Sequence, residues 1–214
     1  MSVLAPAITV ESVDEFKASI ERLKPFADRV HVDVSDGEFA PTFLLGVGQL
    51  YWPGEWLVDI HAMVARPSEY VQSLVELKPH TIIFHAEVEE DLLPSLQAVK
   101  AAGINAGIAL LRPTVPKTVQ KLIDASDHVL IFSGELGKYG GVASLMQLEK
   151  VRLVRSIKPN VEIGWDGGAN PENAFSLSQG GVDVINVGGA INEAADPPAV
   201  YKKMRQEIER QRVI

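Results

Sequence analysis

The sequence contains no cysteine. That excludes disulfides, a thiol nucleophile and any zinc site built on thiolates, and it fits a reducing compartment. Basic charge is in deficit: 20 Lys and Arg stand against 28 Asp and Glu, for a formal net charge of −8. A chain of that sign is no broad binder of nucleic acid or of an anionic membrane surface. A local phosphate site needs no lysines, because helix N-termini and backbone N–H groups supply one. No apolar stretch reaches membrane-spanning length, and the N-terminus lacks the basic start and cleavage site of a signal peptide. A cytoplasmic protein is therefore expected. No linker, low-complexity segment or clear sequence repeat interrupts the chain, so one domain over residues 1–214 is expected.

Hydrophobic residues make up 46% of the chain and charged residues 22%, enough for a sizeable core. Apolar runs recur at a spacing of roughly 25 residues, each followed by a helical pattern. The pattern predicts strands over Val3–Ile8, Arg29–Val34, Leu57–Val64, Thr81–Ala86, Asn105–Leu111, His128–Ser133, Val161–Trp165 and Val182–Val187. Helices are expected over Ser12–Leu23, from Pro67 to about Leu77, and over Asp91–Ala102 with Gly103 as its stop. Further helices are expected near Val115–Ala125 and over Leu145–Ile157, Pro171–Gln179 and Pro198–Arg212. Leu45–Trp52 reads as a connector with a short helix at best. Strands alternating with helices imply a parallel sheet, and near-continuous apolar strands imply burial on both faces. Eight such units fit a closed (β/α)8 TIM barrel. The alternative is an open doubly wound sheet, against which the first strand–helix turn has no G-x-G-x-x-G fingerprint.

In a TIM barrel, polar residues at the C-terminal strand ends read as catalytic. In the stretch Arg29–Glu38, His31 and Asp33 are two residues apart and so share a strand face, before a turn at Asp36-Gly37. The third strand offers His61, the fourth His85 and Glu87, and the seventh ends in Asp166. His31, Asp33, His61 and Asp166 come from three strands and can meet in the barrel mouth, where neutral imidazoles and carboxylates suit Zn²⁺, Mn²⁺ or Fe²⁺. The alternative is that the histidines are hydrogen-bonded core residues and the aspartates cap loops. Met63 and His85 are open in the same way between a site role and a core role. Gly167-Gly168 and Gly188-Gly189 follow the seventh and eighth strands, where such barrels often seat phosphate, and Gly140-Gly141 could join them. Those glycines could equally serve tight turns alone.

At these residues the chain resembles ribulose-phosphate 3-epimerases over nearly its whole length. His31-Val-Asp-Val-Ser-Asp-Gly-Glu-Phe-Ala-Pro41 is similar to that family's H-V-D-V-M-D-G-H-F-V-P. Asp59-Ile-His-Ala-Met-Val64 is similar to D-V-H-L-M-V, Phe84-His-Ala-Glu87 to F-H-A-E, Asp166-Gly-Gly-Ala-Asn-Pro171 to D-G-G-V-N-P, and Gly188-Gly-Ala-Ile191 to G-S-A-I. The resemblance implies a ribulose-phosphate-binding barrel and a metal-dependent isomerase. It would invert C3 of a ketose phosphate, D-ribulose 5-phosphate to D-xylulose 5-phosphate or a close analogue such as a hexulose phosphate. Carried over motif by motif, it makes His31, Asp33, His61 and Asp166 the ligands of one divalent ion. It makes Asp33 and Asp166 the two proton-transfer residues, acting through a metal-stabilised enediolate with Met63 packed over it. Inversion without net redox needs no nucleotide cofactor. The family further implies a place in pentose phosphate metabolism and a homo-oligomer, dimer or hexamer. Two other functions fit the same barrel: a lyase or synthase with enediolate chemistry, and a catalytically silent barrel that binds sugar phosphate.

The departures from the family pattern collect around the substrate. The family's P-S-I-L reads Pro6-Ala-Ile-Thr9, which puts Ala7 in place of a substrate-facing serine. The methionine of D-V-M-D-G becomes Ser35, the following histidine becomes Glu38, and the asparagine after F-V-P becomes Thr42. The N-P-G-F-G-G-Q lid is replaced by Gly134-Glu-Leu-Gly-Lys-Tyr-Gly-Gly-Val142, in which Lys138 is either an anion contact or a solvated lid lysine.

Overall fold

The apolar runs become β1 (Val3–Ile8), β2 (Arg29–Ser35), β3 (Leu57–Met63), β4 (Thr81–His85), β5 (Asn105–Leu110), β6 (His128–Phe132), β7 (Glu162–Asp166) and β8 (Val184–Val187). All pair in parallel with their sequence neighbours, and β8 pairs with β1 to close the barrel. A computed structural model describes residues 2–136 and 141–210. The helices are α1 (Val13–Leu23), α2 (Pro67–Glu76), α3 (Leu93–Ala101), α4 (Gln120–Ala125), α5 (Glu149–Ile157), α6 (Ala174–Gln179), α7 (Gly189–Asn192) and α8 (Pro197–Glu209). The (β/α)8 expectation therefore holds. The connector from β2 to β3 carries only a 3₁₀ turn, Val47–Gln49, and a second helix after β8 makes up the set.

Local chemistry explains the helix ends. Ser12 accepts from the Glu15 N–H while Glu15 accepts from the Ser12 N–H, a capping box that starts α1. Asp196 accepts from the Ala199 N–H and starts α8 one residue before the expected Pro198. Two expected helices split: Pro116–Val119 and Leu145–Leu148 are 3₁₀ turns that lead into α4 and α5. The helix expected from Pro171 begins only at Ala174. There Asn170 Oδ1 accepts the N–H groups of Glu172 and Asn173, a local turn that competes with helix.

Alternation along each strand sorts the core into a shell and an interior. Val30, Val32 and Val34 of β2 join Val58 and Ile60 of β3 in the large cluster between sheet and helices. Each fully buried aliphatic side chain there contributes about 1.5–3 kcal/mol. The opposite face of the same strands fills the barrel. At its lower end Arg29 donates from Nε to Asp59 Oδ2 at 2.6 Å and from Nη1 and Nη2 to the two Glu162 oxygens at 2.8 and 2.7 Å. His128 Nδ1 lies 2.8 Å from Glu162 Oε2. Above this plug sits a small apolar layer of Ile83, Ala109 and Leu130, packed apart from the outer core.

Burial pushes the Glu162 carboxyl up, but its bonds to Arg29 and His128 outweigh this and hold it well below the usual carboxylate range. A depressed carboxylate stabilises the fold above its unfolded pKa of about 4.3, and that contribution fades as the pH falls toward the folded value. Glu162→Gln should therefore lower unfolding free energy by about 1–3 kcal/mol at neutral pH, a range discounted for the side chain's partial exposure. Denaturant melts at several pH values should show the gap between variant and parent closing below about pH 4.

Candidate active site

Strand register assembles the barrel mouth. Asp33 of β2 pairs with His61 of β3 at one level, and Ser35 pairs with Met63 at the next. Phe132 of β6 pairs with Asp166 of β7, whose carbonyl accepts from the Ser133 N–H at 2.6 Å. His31, Asp33, His61 and Asp166 each offer one donor atom, and these atoms all lie within 4.8 Å of one another. His61 Nδ1 is 2.9 Å from Asp33 Oδ1 and 3.9 Å from Asp166 Oδ2. His31 Nε2 is 3.2 Å from Asp33 Oδ1. His31 and His61 are fully buried and Asp33 nearly so, while Asp166 reaches the solvent-facing side. The four residues singled out from the sequence thus converge on one centre.

The electrostatics of that centre point to a cation. Among the described residues its donors are two carboxylates and two imidazoles, and His31 Nδ1 is buried without a hydrogen-bond partner while its Nε2 lies 3.2 Å from Asp33 Oδ1 outside hydrogen-bond geometry. Orphaned imidazole nitrogens beside carboxylates are costly unless something shares their lone pairs. Two His and two Asp form a donor set that suits a transition-metal dication. The donor set can therefore hold a metal ion.

Burial pushes both carboxyls up. At Asp33 the contacts from His31 and His61 outweigh burial and hold the group well below the usual range. At Asp166 burial prevails: the imidazoles oppose it, the Asp33 charge reinforces it, and the pKa is raised. Two neighbouring carboxyls are thus driven apart, one toward the ionised and one toward the protonated form.

Above the centre lies a cavity of about 730 Å³. Asp33 and Asp166 form part of its floor, and Met63, Gly141, Gly167, Gly168, Gly188 and Gly189 line it with Ala7 and Ser35. Met63 is buried against Ala40 and Leu44 and also lines the cavity. Gly188-Gly189 begins α7 rather than a turn. Gly167 and Gly168 have φ of +108° and +71°, and a Cβ on either would come within 2.2 Å of backbone nitrogen in the segment after β6. These glycines hold that segment directly on the β7 loop. Gly140 and Lys138 lie outside the described residues.

Several contacts had no counterpart in the sequence reading. Thr9 Oγ1 donates to Asp33 Oδ2 at 2.5 Å. Alternation could have found it, since Thr9 follows Ala5 and Ala7 at two-residue spacing just past the end of β1. His85, left open above, has its Nε2 2.9 Å from His61 Nε2 and its Nδ1 3.3 Å from Glu87 Oε2. Burial pushes the His85 ring down to about 4, so it stays neutral.

Residues 3–192 match the family model described as "Ribulose-phosphate 3 epimerase family". The chain is 31% identical over 215 residues to the protein named "Ribulose-phosphate 3-epimerase, cytoplasmic isoform" of Oryza sativa subsp. japonica, covering 96% of this chain and 94% of that one. It is 34% identical over 178 residues to the "Ribulose-phosphate 3-epimerase" of Helicobacter pylori J99, covering 79% and 82%. Among solved structures, 3-hexulose-6-phosphate synthase from Salmonella typhimurium superposes with a TM-score of 0.70 at 16% identity, over 97% of this chain and 98% of that one. That likeness shows a shared barrel.

The tight seat of the glycines makes one prediction. Gly168→Ala must place a Cβ against the Ala143 nitrogen at positive φ. It should cost about 2 kcal/mol or more of unfolding free energy, read from denaturant melts, since left-handed strain alone costs 1–2 kcal/mol.

Proposed function

The chain belongs to the ribulose-phosphate 3-epimerase family, a family of isomerases, and from that footing we propose that it inverts C3 of a ketose phosphate. The substrate is D-ribulose 5-phosphate, giving D-xylulose 5-phosphate, or a close analogue. The observation that carries this reading is the pair Asp33 and Asp166. They reach one centre from β2 and β7, which stand three places apart around the closed barrel, and their carboxyl pKa values are driven in opposite directions. Epimerisation needs a base on one side of C3 and an acid on the other.

Asp33, acting as the base, takes the C3 proton from one face, and Asp166, acting as the acid, returns a proton to the opposite face. The carbon–hydrogen bond is broken and remade with inversion, and no electrons leave the substrate. One turnover leaves Asp33 protonated and Asp166 ionised, so the pair must exchange with solvent before it can act again in the same direction. His31, Asp33, His61 and Asp166 would hold a divalent ion, which supplies Lewis-acid stabilisation of charge on the substrate oxygens. Thr9 steadies Asp33 through Oδ2 and leaves Oδ1 toward the histidines. The glycines at 167–168 and 188–189 let a phosphate approach the backbone closely at the far side of the cavity. Two imidazoles among the donors favour this reading over a Mg²⁺-dependent lyase or synthase, which would prefer oxygen ligands.

Three measurements test it. Purified protein should carry about one Zn, Mn or Fe per chain by elemental analysis, as a single four-donor site requires. In D₂O, deuterium should enter C3 of the substrate as turnover proceeds. Failure of every ketopentose and ketohexose phosphate to exchange, with metal supplied, would overturn the proposal. Asp33→Asn and Asp166→Asn should each lower kcat by about a hundredfold or more.

A further inference from the structure

We infer that His85 and Glu87 form a positioning relay that fixes the tautomer of His61, so that its Nδ1 is offered as a lone pair to a divalent ion; this rests on the metal-dependent reading above. His61 Nε2 and His85 Nε2 are 2.9 Å apart, and both rings are fully buried. Two imidazole nitrogens at that distance can bond only if one bears a proton and the other a lone pair. Which is which is decided one bond further on. His85 Nδ1 faces Glu87 Oε2 at 3.3 Å, and an ionised carboxylate only accepts. The single proton of neutral His85 therefore sits on Nδ1, and its Nε2 must accept. His61 then donates from Nε2, which leaves Nδ1 bare toward Asp33 and Asp166.

Glu87 is itself held in place. Its other oxygen, Oε1, accepts from the Leu111 N–H at 2.8 Å and from the Thr114 hydroxyl, so Oε2 is the oxygen left for His85. The rings of Phe39 and Phe132, with centroids 4.6 and 5.6 Å from that of His85, wall the relay from the sides. Metal-bound histidines commonly pass their second N–H to a carboxylate; here an imidazole is inserted between the two. The competing state places a proton on His61 Nδ1, bonded to Asp33 Oδ1 2.9 Å away. A cation has to displace that proton, and the relay biases the ring against it.

Glu87→Gln tests the bias without changing shape. Leu111 N–H and Thr114 hold the amide oxygen at the Oε1 position, so the NH₂ group faces His85 Nδ1. His85 must then accept at Nδ1 and carry its proton on Nε2. His61 Nε2 becomes the acceptor, and its own proton moves to Nδ1, onto the ligand atom. Zinc affinity, measured by competition with a chromophoric chelator, should fall about 10- to 100-fold in Glu87→Gln. The melting temperature of the metal-free variant should stay that of the parent. In the zinc-loaded parent, histidine ¹⁵N shifts should report His85 protonated at Nδ1 and His61 at Nε2; this measurement decides the matter even if the variant does not fold. Unchanged zinc affinity in a folded variant, or a His85 protonated at Nε2, overturns the relay alone. A parent protein that takes up no divalent ion overturns the relay together with the metal-dependent reading.

Discussion

Charge buried inside the barrel has to be compensated, and the molecule does this differently at its two ends. At the lower end compensation is internal. Arg29 grips Asp59 and both oxygens of Glu162, and His128 closes on the same carboxylate. Ion pairs of this kind roughly offset their own desolvation and add little net stability, but removing one partner strands the other. At the upper end compensation is incomplete. Among the described residues Asp33 and Asp166 meet two imidazoles, and His31 Nδ1 keeps no hydrogen-bond partner. The plug closes one end of the barrel as a fixed structure, and the cluster at the other end could hold a metal ion. The layer of Ile83, Ala109 and Leu130 keeps the two polar regions apart.

Parallel pairing turns this arrangement into geometry. In β2 the inward residues run Arg29, His31, Asp33 and Ser35, so one strand contributes to the plug, the donor cluster and the cavity wall in turn. Register with β3 then sets Asp33 beside His61 without help from any loop. A one-residue slip would send all these side chains to the helix-facing side. The valines that alternate with them prevent it, because the slip would expose Val30, Val32 and Val34 to the polar interior. The apolar pattern that stabilises the sheet is thus also what aims the polar residues.

The same logic explains what could be read from the sequence. Strand order, the closed barrel and the four converging residues were legible because each depends on alternation within one strand and on the repeat of strand and helix. The His85–Glu87 relay was half legible: the residues stood out at a strand end, but their link to His61 depends on side-chain reach between neighbouring strands. The plug was not legible. Arg29, Asp59, Glu162 and His128 are spread over four strands, and nothing local marks an arginine at a strand's first residue as inward. Helix starts were misplaced where a side chain competes with the backbone, as Asn170 does before α6. Thr9 stands where the family pattern has a leucine, and it supplies a hydrogen bond to the residue at the centre of the site.

That last case bears on how a chain can drift from its relatives and keep one kind of chemistry. The family's serine on β1 is Ala7 here, and the methionine on β2 is Ser35; both positions line the cavity. A hydroxyl is lost from one wall and gained on another, while the donor cluster below is untouched. Glu38, in place of a histidine, pairs with both terminal nitrogens of Arg66 at 2.7 and 2.8 Å and ties the β2 loop to the β3 loop at the rim. On the proposed reading, proton removal depends on Asp33 and Asp166, which the sheet holds rigidly, whereas recognition depends on side chains and loops above them. Changes in the rim then alter which ketose phosphate is seated without altering what happens at C3, because the two tasks rest on different layers of the same barrel.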